Sequence, residues 1–159
     1  MTEREDVARA MAFFEASDDL MLLHQLVAEV SPRAKRMVGQ LLAKGDEETI
    51  PAPAALRPAR DPATREAAVK TLRATNDFSL LQVLSRTIGQ RIESAEIAAS
   101  ADFPEGVRVS VPRKVAFPPA SARVEGVVEQ TGTMLSVLLD NGETWEGPPS
   151  LAKLVPEHR

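Results

Sequence analysis

Residues 15–26 align without a gap on residues 73–84, and this pairing limits what the chain can fold into more than any other feature of it. The offset is 58 positions. It matches Ala16 with Ala74, Asp19 with Asp77, Leu22 with Leu80, Leu23 with Leu81 and Leu26 with Leu84, and beyond the aligned block Ala10 with Ala68, Phe14 with Leu72, Val30 with Ile88 and Arg33 with Arg91. A helical unit written twice usually builds a surface for a partner rather than a pocket for chemistry. Two copies fall short of the number that makes a stable open solenoid. They are therefore expected to meet face to face in one helical bundle with pseudo-twofold symmetry, or to make the chain dimerise.

The spacing of apolar residues supports helices as far as about Ala101. Val7, Met11 and Phe14 place a first helix near residues 4–16. Ser17 and Asp18 offer capping oxygens for a second, which carries Leu20, Leu23, Val27 and Val30 on one face, with Leu22 and Leu26 widening it. Ser31-Pro32 reads as a cap followed by proline at a first helical position, so a third helix with Met37, Val38, Leu41 and Leu42 is expected to run until Gly45. Residues 45–61 hold three prolines, which remove N–H donors, and form a linker. Asp61-Pro62 repeats the cap-plus-proline signal and opens the second copy. In that copy Ala68, Val69 and Leu72 mark one helix, and Phe78, Leu81, Leu84 and Ile88 mark the next. Gly89 replaces Ser31 at the joint, and Ile92, Ala95, Glu96 and Ala99 carry either a third helix or a prolonged second one.

After Phe103-Pro104-Glu105-Gly106 the period changes to two. Val107, Val109 and Val111 alternate with Arg108 and Ser110. Residues 111–120 form a proline-interrupted loop. Strands are expected over 123–130 and 134–139, joined at Thr131-Gly132-Thr133, with another over 143–146 and a short last one at Leu154-Val155. Asp140-Asn141-Gly142 supplies residues that accept φ > 0 in a turn. Five short strands linked by tight turns point to a small barrel.

The stretch from Thr144 to Val155, with Gly147-Pro148-Pro149 at its centre, resembles the end of an SH3-like barrel, where a one-turn 3₁₀ segment precedes a brief final strand. Gly126-Val127-Val128 and Leu138-Leu139-Asp140-Asn141-Gly142 resemble its central hairpins. The resemblance covers residues 106–156 and implies a fold, not an activity. The chain departs from the peptide-binding SH3 family in having no Tyr and no acidic specificity loop, and a single Trp cannot line a proline-binding groove. The expected architecture is therefore segregated α+β. Residues 1–103 form an all-α duplicated bundle, with units at about 4–44 and 62–101, and residues 104–159 form a five-stranded SH3-like β-barrel.

Little in the chain points to catalysis. Its only histidines are His24, mid-helix opposite Gln82 of the other copy, and His158, beside the terminus. The first reads as structural and the second as frayed. The absence of cysteine excludes disulfides and thiolate chemistry. The acidic clusters Asp18-Asp19 and Asp46-Glu47-Glu48 fit a helix N-terminus and a solvated linker better than a metal site. There is no glycine-rich phosphate loop, so no cofactor is expected. No apolar run reaches the roughly 20 residues that cross a bilayer, and the acidic start is unlike a secretory signal. A cytoplasmic protein without membrane partners follows.

Charge is uneven. Up to Gly106 there are 13 Lys/Arg against 17 Asp/Glu, and beyond it 6 against 6. Within the acidic part, Arg33, Lys35, Arg36 and Lys44 gather on one helix, and Arg57, Arg60, Arg65, Lys70 and Arg73 spread over linker and helix. Their plain role is a solvated face, and their specific one a docking patch for an acidic partner. Trp145 belongs to the barrel core or anchors a partner. The reading is a non-enzymatic protein-interaction module: an adaptor, assembly factor or regulator. Its partner-binding residues are Arg33, Arg36, Arg57 and Arg60 for carboxylates, with Trp145 as apolar anchor and Lys153 beside it. The alternative is a nucleic-acid-associated protein using the barrel and the basic helical residues. The acidic pI of about 5.3 and the scarcity of aromatics stand against it.

Overall fold

Helices precede strands in the computed structural model, which describes residues 2–43 and 52–156. Four helices, α1 (Glu3–Ala16), α2 (Leu20–Ala43), α3 (Arg65–Ala74) and α4 (Phe78–Ser100), are followed by strands β1 (Arg108–Pro112), β2 (Arg123–Gln130), β3 (Leu135–Leu139), β4 (Thr144–Gly147) and β5 (Lys153–Leu154). The fold class is α+β. The chain divides into two compact units, Met1–Arg91 and Ile92–Arg159, and the division falls inside α4. No helix among the described residues is long and apolar enough to cross a membrane.

In the helical unit the 58-residue offset holds for the helices themselves: α1 and α3 end at Ala16 and Ala74, and α2 and α4 begin at Leu20 and Phe78. The same registers are buried in both pairs, with Ala10 and Ala68, Phe14 and Leu72, Leu23 and Leu81, and Leu26 and Leu84 all at 0–1% exposure. α1 packs against α3. Asp19 and Asp77 cap the second helix of each pair, accepting from Leu22 N at 3.1 Å and Leu80 N at 3.3 Å. The cap of α2 is thus Asp19, one or two positions later than the sequence signal. Likewise Thr64, not Asp61, caps α3, accepting from Ala67 N at 3.2 Å.

Two arginines then cross between the pairs. Arg33 of α2 donates to the carbonyls of Leu72 (3.0 Å) and Thr75 (2.6 Å) at the end of α3. Its counterpart Arg91 of α4 donates to the carbonyl of Ser17 (2.8 Å), the corresponding residue at the end of α1. The last carbonyls of a helix lack intrahelical donors and carry negative partial charge, so a guanidinium satisfies both needs. Such an exchange, each pair capping the other at the same position, is the contact pattern of a two-fold.

Pro32 does not start a new helix. It lies inside α2, which runs unbroken from Leu20 to Ala43. Proline removes the hydrogen bond to the carbonyl four residues back, that of Ala28. Ala28, Ser31 and Pro32 are all exposed, so water can take the freed carbonyl while Leu23, Leu26 and Val30 hold the buried face. α4 is the prolonged form of the second helix. The described part of the linker lies along α1 and α4 through Ala59 N to Ala8 O (3.0 Å), Ala63 N to Arg9 O (2.9 Å) and Ala54 N to Ser79 O (3.3 Å). Residues 44–51, with Lys44, Gly45 and the acidic run 46–48, lie outside the described residues, as does His158.

The strands form one antiparallel sheet in the order β4-β3-β2-β1-β5. Its ladder does not close on itself, so β4 and β5 are edges and a closed barrel is not seen. Alternation sends Val109, Val111, Val128, Leu135, Val137, Leu139 and Trp145 into one core with Phe103, Leu151 and Ala152. At Gly126 a Cβ would meet the Leu138 carbonyl and stand 2.8 Å from the Leu139 Cα, so only glycine lets β2 and β3 approach. Gly142, at φ +90°, closes the β3–β4 turn. A one-turn 3₁₀ helix (Pro149–Leu151) leads into β5. Its Ser150 N–H donates to the buried Glu96 carboxylate at 2.9 Å, and Arg123 donates to the carbonyls of Ser110 (2.7 Å) and Leu151 (2.9 Å).

Candidate functional site

The six residues singled out from sequence do not converge. Arg33 is committed to the end of α3, so its charge serves the fold. Trp145 is 5% exposed, in the sheet core, which corrects its assignment as a surface anchor. The reason is register: Trp145 pairs with Val137, which pairs with Val128, and all three point to the buried face. Its Nε1–H finds no acceptor among the described residues. Arg36 is exposed on α2, Arg57 and Arg60 on the segment along α1, and Lys153 on the edge strand β5.

Another set does converge. On α3, Arg65, Glu66, Val69, Lys70, Arg73 and Ala74 form a stripe at helical spacing facing Leu22 of α2, and together they line an open groove of about 760 Å³. Lys70 and Ala74 also line a second depression of about 500 Å³ on the other flank of α3, opposite Glu3 and Asp6 of α1. Val69 and Leu22 make an apolar floor and the cations a rim. Arg65 pairs with Asp19 at 2.8 Å, and Arg73 forks onto Glu29 at 2.9 and 3.0 Å. Hydrogen bonding from Arg73 holds the Glu29 pKa below the usual carboxylate range, against a smaller effect of burial, and the charges of Arg73 and Arg33 add to it. The same bond raises the Arg73 pKa. Lys70 is in neither pair.

Both pairs are solvent-exposed, and such pairs contribute little to stability because water and salt compete with them. The guanidiniums can therefore exchange Asp19 or Glu29 for an incoming carboxylate at small cost. Arg65, Lys70 and Arg73 stand out in the sequence as scattered basic residues. Leu22 and Val69 do not, and their signal is subtle: both lie just off the buried stripes through Leu23 and Ala68. A third depression, about 330 Å³, lies between Ala34 of α2 and Phe78–Arg86 of α4, with Pro53 at its edge. His24 and its counterpart Gln82 are both half-buried on their helices. Among the described residues no group of three His, Asp or Glu side chains is placed to hold a metal ion. No protein-family model matches the chain, and neither does any curated protein or solved structure.

Proposed function

We propose that the chain is a non-enzymatic protein-binding module, an adaptor, assembly factor or regulator, that docks an acidic, partly apolar element of a partner along α3. The observation that carries this reading is the groove itself: an apolar floor of Leu22 and Val69 with three cations around it. It is open rather than enclosed, which suits a protein surface better than a small molecule. On this reading the helical unit arose by duplication of one helix pair, supported by the shared offset and the reciprocal arginines. The sheet unit is an SH3-like barrel, supported by its strand order and the 3₁₀ turn before β5. The nucleic-acid alternative has no comparable support, since exposed glutamates occupy the outward side of β2 and β4.

The test is site-specific photocrosslinking in the native cell from position 69, with position 36 as control. A partner captured at 69 and lost in Lys70→Glu, with crosslinked residues lying beside Asp or Glu, supports the reading. Equal capture from both positions, or capture insensitive to Lys70→Glu, overturns it. Because Lys70 is exposed, Lys70→Glu is expected to change stability by no more than about 0.5 kcal/mol.

A further inference from the structure

The outward face of the sheet has the make-up of a second docking surface, with charge opposite to that of the α3 groove. Val127 and Leu138 are direct cross-strand partners on β2 and β3, and they are 36% and 42% exposed. They occupy the centre of the row Arg108–Val127–Leu138–Thr144 across four strands. Around them the alternate outward positions are Glu125, Glu129 and Glu146, all exposed. None of these three forms an ion pair among the described residues; the one cation of the row, Arg108, is already forked onto Asp140.

An apolar centre within a ring of charge of one sign is how a docking surface excludes water and selects its partner. A cross-strand Val–Leu pair also steadies the sheet by itself. That role does not require carboxylates on both flanks, and these repel one another unless a cation comes between them. We infer that this face binds a protein segment carrying apolar side chains flanked by lysine or arginine. It is independent of the α3 groove, and it rejects nucleic acid, whose phosphates the glutamates repel.

The experiment is a ¹⁵N–¹H NMR titration of the full chain with a short peptide of alternating lysine and leucine, with its glutamate–leucine counterpart and a single-stranded oligonucleotide as comparison probes. The lysine peptide is expected to shift the amides of Val127, Leu138, Glu125 and Glu146, and the other two probes are not. Leu138→Ser is expected to weaken the peptide about tenfold, the effect of losing one partly buried leucine contact. The combined Glu125→Lys, Glu129→Lys and Glu146→Lys change is expected to abolish binding while the amide spectrum stays dispersed. Shifts scattered over the chain, equal response to the glutamate peptide, or a response to the oligonucleotide would overturn the inference. So would concentration-dependent shifts at Val127 and Leu138 without peptide, which would give the face to a second copy. Failure of the α3 groove is read separately, at Val69 and Lys70.

Discussion

The helical unit and the sheet unit treat apolar surface differently. Of the large apolar side chains left exposed among the described residues, only Met21 and Leu42 belong to the helical unit, whereas Ile97, Val115, Val127, Met134, Leu138 and Leu154 belong to the smaller sheet unit. A helix pair that meets an equivalent pair has a ready partner for its stripe, and here even the orphan carbonyls at Ser17 and Thr75 are satisfied by the opposite pair's arginine. A single antiparallel sheet covers one face and leaves the other to water. Internal pairing consumes interaction potential, while an unpaired sheet keeps it. The helical unit therefore offers a polar-rimmed groove, and the sheet unit an apolar pair.

The strongest way to break this contrast is at Trp145. Trp145→Ala is expected to cost about 3–5 kcal/mol, as large-to-small changes in packed cores do. Hydrogen exchange should show the loss at the amides of Val128 and Val137. Comparable loss of protection at Leu26 and Leu84 would show that the two units do not hold their cores separately. Trp145→Phe should cost much less, because it also removes a buried N–H that lacks an acceptor.

The reciprocal arginines sharpen the comparison within the helical unit. Arg33→Met and Arg91→Met are each expected to destabilise by about 1–3 kcal/mol, since each strands helix-end carbonyls in a partly buried place. Arg33→Met should be the larger, because Arg33 serves two carbonyls, while Arg91 serves one and otherwise reaches the exposed Asp18. Denaturant melts of the two variants decide it. A negligible effect of either would remove the reciprocity argument.

Much of this was legible in the chain because period and offset are local, additive signals. The helix ends at Ala16 and Ala74 and strand β2 stand where spacing put them, and the other strands lie within a residue or two. What escaped is what tertiary surroundings decide. Pro32 carries a helix-start signal, yet the exposed backbone around it let α2 continue. Arg33 looks like a free surface cation, and only the neighbouring helix end shows that it is a cap. Trp145 points inward because the β3–β4 register places it opposite Val137. The α3 groove needs Leu22 and Val69 from different helices, a juxtaposition that no spacing within one helix reports.

The smallest expected effect compares one ion pair from each unit. Asp140 is held below the usual carboxylate range by hydrogen bonding from Arg108, opposed by burial and helped by the charge of Arg108. Glu29 is held down in the same way by Arg73, with a further contribution from Arg33. A folded pKa below the unfolded value means that the stabilisation is complete above the unfolded pKa, near about pH 4, and fades as pH falls through the folded value. Carboxyl-carbon NMR titrations should therefore give different responses to loss of the main partner. In Arg108→Ala, Asp140 should return fully to its ordinary midpoint or slightly above it, because only burial then remains. In Arg73→Ala, Glu29 should return only part of the way, because Arg33 stays one helical turn along α2 and keeps favouring its charged form. Full return of both would mean that Arg33, engaged with the end of α3, exerts no field at Glu29, and the helical unit's electrostatics would then be as simple as the sheet's.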